Sequence, residues 1–375
     1  MGGGSKTLQA LLAQAPRAVH AGTVPLGPSG WLICDALTRD NLLRNKGRST
    51  FTTLELLREW LKAVLRDATA TRAGTIVLVY DDNRKVPREK SEEQKRRRTG
   101  REQYPAEAVL TAEGLRETPN GPAEAFDVNR MLSSHTLRPQ FFACLRAYLY
   151  VNARVLPAGL TVILDATFPH PWAFSAHKGA VPLTDIRRTL GEADLQCVWW
   201  LRRVPPVIRV AVQSIDTDML PILLWWRHSA HPAAERNVCW VQRKDCYLTV
   251  NDLLAGVRDG LKLTLEQFLL AMICNGNDFV DKGALLFWIN ETATLRAAQH
   301  CRGLDDVSTL VQRAHTTRYY GEAASLRSLA DLQREADAQA KPTSHRVPTA
   351  ETVAAVQTRI RDFLAPYWFR DWSGA

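Results

Sequence analysis

"VIRVAVQSIDTDMLPILLWW" (Val207–Trp226) is a run of β-branched and large apolar residues interrupted by two carboxylates, Asp216 and Asp218. Charged side chains are rarely buried without a partner, so these acids need a reason to sit beside such a run. Extended backbone sends residues i and i+2 to the same side. Two acids at a strand end with this spacing are therefore expected to converge on one target.

Three other apolar runs end in the same way. "GWLICDA" closes at Asp35, "GTIVLVYDD" at Asp81 and Asp82, and "GLTVILDA" at Asp165. Short Val/Ile/Leu-rich runs separated by helical stretches predict an α/β fold, a mostly parallel central sheet flanked by helices. The helical stretches include "TFTTLELLREWLKAVLRDA", "FFACLRAYLYVNA", "EADLQCVWWLRR" and "TLEQFLLAMIC". Such sheets bind ligands outside the carboxyl ends of their strands. A single Asp after a strand reads as a helix cap or turn residue, but four point to one place. Glu192 and Asp194 follow Gly191 at the start of a helix, where a first turn and the helix dipole suit negative charge. Asp278 follows an apolar helix and the turn-forming Asn275-Gly276-Asn277.

Clustered carboxylates repel unless a cation joins them. Hard oxygen ligands suit Mg²⁺, with Mn²⁺ as a substitute, and two such ions form the clamp for in-line phosphodiester cleavage. The chain of 375 residues carries a formal net charge of +9, which suits a polyanionic partner. Residues 84–101, "RKVPREKSEEQKRRRTGR", form a basic, helix-compatible segment directly after Asp81 and Asp82. Lys90 and Arg97 are seven residues apart, hence on one helical face, and Arg101 continues it. Arg84, Lys85 and Arg88 add backbone-phosphate contacts. Glu89, Glu92 and Glu93 leave a solvated charged helix as the other reading of this run.

The ordered set of acids resembles the flap endonuclease/XPG family of structure-specific 5′ nucleases, over roughly residues 1–285. "WLICDA" is similar to the family's first strand and "VLVYDDNRKVPREKSEEQKRRR" to its second acid followed by the arch helix. "GEADLQC", "IDTDML" and "CNGNDF" are similar to its later acidic elements. The resemblance implies metal ligation by Asp35, Asp81 (with Asp82 as the fallback), Glu192, Asp194, Asp216, Asp218 and Asp278. It assigns Lys90 and Arg97 to the scissile phosphate. It also implies a 5′-nuclease (PIN-like) core over 1–285, with an arch-like helix and an insertion within 84–180, and a helical region over 286–375. The expected activity is hydrolysis of DNA at a 5′ flap, nick or junction, in replication, repair or recombination. A 5′→3′ exoribonuclease and a catalytically silent nucleic-acid-binding factor are the alternatives.

The sequence departs from the family in two places. "VDKGALLFWINETATL" replaces the usual glycine-rich helix–hairpin–helix, and the interval from Asp81 to Glu192 is long. Both features suit a divergent, viral-type member. "QTRIRDFL" resembles a sliding-clamp-binding box through Gln357, Ile360, Phe363 and Leu364. The other reading is a terminal amphipathic helix packed through Ile360, Phe363 and Trp368. His170 and His177 read as polar-loop residues, and the tryptophan pairs 199–200 and 225–226 as core. Seven scattered cysteines with no C-x-x-C pair suggest reduced thiols in an intracellular compartment, a nucleus or viral replication site. No stretch of membrane-spanning length is apparent, no membrane partner is expected, and the chain is expected to act as a monomer.

Overall fold

The computed structural model describes residues 4–36, 49–82, 85, 88, 104–186, 190–229, 238–243, 245–276, 280, 285–286, 289–339 and 347–370. The chain divides into two discontinuous compact units. A sheet unit comprises 21–216 and 235–247, and a helical unit comprises 1–20, 217–234 and 248–375.

Thirteen strands are present among the described residues. They are β1 (Val19–Ala21), β2 (Trp31–Asp35), β3 (Thr50–Phe51), β4 (Thr75–Val79), β5 (Val109–Leu110), β6 (Leu115–Arg116), β7 (Phe126–Asp127), β8 (Thr161–Asp165), β9 (Trp172–Ser175), β10 (Gly179–Pro182), β11 (Val210–Gln213), β12 (Val238–Arg243) and β13 (Cys246–Thr249). The main sheet has the order β1-β13-β12-β11-β2-β4-β8-β9-β10. Its centre, β12-β11-β2-β4-β8, is parallel, and the β8-β9-β10 end is antiparallel. The alternation of strands and helices read from the sequence thus gives the expected fold class, a mostly parallel sheet with flanking helices and a helical carboxyl-terminal region. "GLTVILDA" is not an appendage of that sheet: as β8 it lies directly beside β4.

From β2 the chain proceeds outward through β4 to β8, then returns to the other side of β2 as β11 and continues to β12. Strand order therefore reverses between β2 and β11, the place where open α/β sheets form their ligand crevice.

Two helices cover opposite faces of this sheet. Helix Thr53–Thr71 starts with a capping box, in which the Thr52 hydroxyl accepts from the Glu55 N–H and the Glu55 carboxylate accepts from the Thr52 N–H. Its Leu56, Leu57, Trp60, Leu61 and Val64 are buried in the same core as Leu32 and Cys34. Each such side chain contributes roughly 1.5–3 kcal/mol on removal from water. Alternation along β2 turns Trp31, Ile33 and Asp35 the other way. On that side the helix Ala193–Arg203 packs, with the Trp31 and Trp200 rings 6.3 Å apart.

Glycine is required where β4 begins. A Cβ on Gly74 would lie 1.8 Å from the Pro28 carbonyl oxygen, and the Gly74 N–H bonds the Gly30 carbonyl at 3.0 Å. Residues 104–133 contain the small pair β5–β6, the strand β7, which pairs with β3, and the helix Val128–Ser133.

The helical unit is built on Leu265–Cys274, which is buried along most of its circumference, as a helix apolar on all sides must be. Helices Gly4–Gln14, Glu291–Ala298 and Val307–Tyr320 pack against it. Asn275, fully buried, donates through Nδ2 to the Thr7 hydroxyl at 2.9 Å. No helix among the described residues is long and apolar enough to cross a membrane.

Candidate functional site

Register places the acids. Asp35, the last residue of β2, pairs with Val79 on β4, and Val79 pairs with Asp165 on β8. Paired residues share a face and so do residues two apart. Asp81 therefore follows Val79 onto the side occupied by Asp35 and Asp165. On the other flank Gln213 pairs with Cys34, which brings Ser214 opposite Asp35. The Ser214 hydroxyl donates to Asp35 Oδ2 at 3.2 Å, and the Asp216 N–H reaches the Ser214 oxygen at 3.2 Å.

The Glu192–Asp194 turn arrives at this edge through backbone geometry. Glu192 is the N-cap of the helix Ala193–Arg203, in extended conformation, with Asp194 in the first turn. The Ala193 N–H donates to Asp81 Oδ1 at 2.8 Å, and the Asp82 N–H donates to the Gly191 carbonyl at 2.8 Å. A helix amino terminus has free N–H groups and a favourable dipole end for a carboxylate, and Asp81 uses one of them. The neighbouring Asp82 is fully buried. Asp81 meets the acidic turn through its side chain and Asp82 through its backbone N–H.

Asp165 was visible as a strand-end acid, but its structural role was not. It is 1% exposed. Its Oδ2 accepts from Gln196 Nε2 at 2.8 Å and from Trp200 Nε1 at 2.6 Å. It fixes the helix that presents Glu192 and Asp194, and it explains why Trp200 is a core residue and not a stacking platform. Trp199 lies half-buried at 5.3 Å from the Trp200 ring, with the Arg203 guanidinium 4.0 Å over its face.

The fields of these acids meet on one thiol. Burial pushes Cys197 well above the ordinary thiol range, and the carboxylates of Asp35 and Asp194 push it further, with Asp165 adding to them. The carboxylates of Asp35, Asp194 and Asp165 thus lie close enough to Cys197 to act on the same thiol.

Among the described residues no three His, Cys, Asp or Glu side chains are placed to hold a metal together. The donors along this edge are carboxylates, the ligand type that suits a hard divalent cation. Asp35 and Asp81 direct oxygens at neutral donors, the Ser214 hydroxyl and the Ala193 amide.

Asp216 is exposed and belongs to the sheet unit, and Asp218 is half-buried and belongs to the helical unit. The expectation that both sit in extended chain needs correction. Strand β11 ends at Gln213, and Thr217–Asp218 form a turn, with the Leu220 N–H on the Thr217 carbonyl, that leads into the helix Met219–Ser229. Pro221 falls in the first turn of that helix, where its missing N–H costs no bond. Asp278 lies outside the described residues, as do Arg84, Lys90, Arg97 and Arg101. Lys85 and Arg88 are exposed.

At the carboxyl end, Ile360 and Leu364 are fully buried within the helical unit, while Gln357 and Phe363 are half-buried. Phe363 stacks on Tyr367 at 5.4 Å, and Trp368 is buried. Two anchor positions of the clamp-box pattern therefore serve the core in this conformation. His170 binds the Ile186 carbonyl through Nδ1 at 2.9 Å, a loop contact, and His177 is exposed.

No family model matches the sequence, and no curated protein matches it. Solved structures that align along most of the chain include two nuclease complexes with DNA. One is the bacteriophage T5 flap endonuclease in a pseudo-enzyme–product complex with DNA and metal ions. It has a TM-score of 0.37 and 10% identity, and the match covers 91% of this chain and 89% of that one. The other is the catalytic core of Rad2 in complex with DNA substrate, with a TM-score of 0.37 and 10% identity, covering 92% of this chain and 83% of that one.

Proposed function

We propose that the chain is a divalent-metal-dependent 5′ nuclease that hydrolyses DNA at a flap, nick or junction. What supports this reading is that Asp35 ends β2 and is bonded to Ser214, whose hydroxyl also accepts the Asp216 N–H, and that Asp81 accepts the amide between Glu192 and Asp194, beside the strand-order reversal of the sheet unit. The order of motifs along the sequence adds Asp218 and Asp278 to the set. Mg²⁺, or Mn²⁺ in its place, supplies Lewis acidity and a hydroxide nucleophile when bound.

The chain's own residues then have distinct tasks. Asp35 and Asp81 offer strand-end oxygens whose directions are set by Ser214 and by the Ala193 amide. Glu192 and Asp194 extend the acidic surface from the first turn of a helix anchored by Asp165. Ser214, Gln196 and Trp200 are positioning residues. Lys90 and Arg97 neutralise the scissile phosphate, and Arg84, Lys85, Arg88 and Arg101 contact neighbouring phosphates, so binding weakens as salt rises. A sliding-clamp contact through residues 357–364 would first have to expose Ile360 and Leu364.

The test is cleavage of an end-labelled 5′-flap duplex in Mg²⁺ by the parent and by Asp35→Asn, with a 5′-phosphorylated RNA strand in parallel. The proposal expects flap cleavage by the parent and a loss of at least a hundredfold in the variant. Equal rates in the two proteins, or turnover of the RNA alone, would overturn it.

A further inference from the structure

On the opposite face of the sheet from the acids lies a cavity of about 180 Å³. Leu32, Val24 and Thr71 form its buried wall, Gln213 and Val241 its sheet side, and Ala70, Arg66 and Asp67 its mouth on the helix Thr53–Thr71. A well-packed interior keeps few voids larger than a water molecule. An engineered cavity of about 150 Å³ lined by Leu, Ile and Phe takes up benzene. This one has the volume for a single ring with a small substituent, and its surface is mainly apolar.

The polar groups define the substituent. Gln213 Oε1 already accepts from the Cys34 thiol at 3.2 Å. Its Nε2 makes no hydrogen bond among the described residues, which leaves a donor on the cavity wall. Arg66 and Asp67 lie 3.9 Å apart at the mouth, which therefore carries no net formal charge. A donor on an apolar wall with a neutral mouth selects a neutral acceptor, not an anion.

We propose that this cavity is a binding site for a neutral, single-ring ligand bearing one hydrogen-bond acceptor such as a ketone or amide. The ring fills the space between Leu32, Val24 and Val241, and the acceptor meets Gln213 Nε2. Gln213 is one residue from Ser214, which holds Asp35, so a ligand here rests against the backbone that orients the acidic edge. The binding claim does not depend on nuclease activity and is read without it.

Acetophenone, toluene and benzoate serve as probes, followed by saturation-transfer NMR and thermal unfolding of the full chain. Acetophenone is expected to bind saturably. Toluene should bind roughly fivefold more weakly, the loss of one hydrogen bond of about 1 kcal/mol, and benzoate more weakly than toluene. Ala70→Trp places a ring at the exposed mouth without disturbing the core and should abolish binding of all three. Gln213→Leu should equalise acetophenone and toluene. Absence of saturable binding by any probe overturns the proposal, as does an Ala70→Trp variant that folds and binds like the parent. If Gln213→Leu leaves the preference for acetophenone intact, the assignment of Gln213 as the donor is wrong.

Discussion

Asp165 allows charge and hydrogen bonding to be separated at one position. Its Oδ2 accepts from Gln196 Nε2 at 2.8 Å and from Trp200 Nε1 at 2.6 Å, all inside the protein. Both Asp165→Asn and Asp165→Ala remove one negative charge from the acidic edge, so any relief of repulsion is common to the two. They differ in what the donors find. The Asn carbonyl oxygen can still accept from both, whereas Ala leaves two buried N–H groups without an acceptor, each at a cost of about 1–3 kcal/mol. Asp165→Ala is therefore expected to be less stable than Asp165→Asn by roughly 2–5 kcal/mol. The assay is urea unfolding followed by tryptophan fluorescence, comparing midpoints at a shared slope. Because Asp165 anchors the helix that carries Glu192 and Asp194, the Ala variant should also lose cation affinity, while Asn should keep it. A gap between the variants below about 1 kcal/mol would refute the reasoning.

Two further outcomes follow from buried polar groups elsewhere. His315 is fully buried, its Nε2 meets the Leu285 carbonyl at 3.1 Å, its Nδ1 has no hydrogen-bond partner among the described residues, and burial holds its pKa down to about 4. Because the unfolded chain takes up the proton first, stability is intact above about pH 6.5 and falls as pH drops toward 4, by about 3 kcal/mol in total. Urea midpoints measured from pH 7.5 to 4.5 should show this slope in the parent and lose it in His315→Gln. Tyr80 accepts the Trp60 indole N–H at 2.9 Å inside the core, so Tyr80→Phe should cost about 1–3 kcal/mol. An unchanged thermal midpoint would show that this bond contributes nothing.

The central strands β2, β4, β8 and β11, the main helices and the strand-end acids were legible because they depend on local pattern. Val/Ile/Leu runs closing in Asp are written in neighbouring residues. The placement of Glu192 and Asp194 at the start of a helix, as N-cap and first-turn residue, followed from Gly191 and the dipole argument. Contacts between distant segments were not legible. Nothing in "QSIDTD" marks Ser214 as the partner of Asp35 until register sets β11 beside β2. Asp165 differs from the other strand-end acids only through Gln196 and Trp200, some thirty residues on. Thr217–Asp218 read as extended because the apolar run continues through them, yet Met219–Trp226 satisfies the same hydrophobicity as a helix. The buried Ile360 and Leu364 show the same ambiguity: a motif spaced for a partner's pocket is also spaced for the chain's own core.

The central claim is that the strand-end carboxylates act together as a cation site. Its most direct measurement is titration of Mn²⁺ into the full chain, with free ion followed by electron paramagnetic resonance, for the parent, Asp35→Asn, Asp81→Asn and Asp165→Asn. Saturable binding is expected for the parent, at least tenfold weaker binding for Asp35→Asn and Asp81→Asn, and near-parental binding for Asp165→Asn. A parent that binds no Mn²⁺, or Asp35→Asn and Asp81→Asn variants that bind as the parent does, would contradict it.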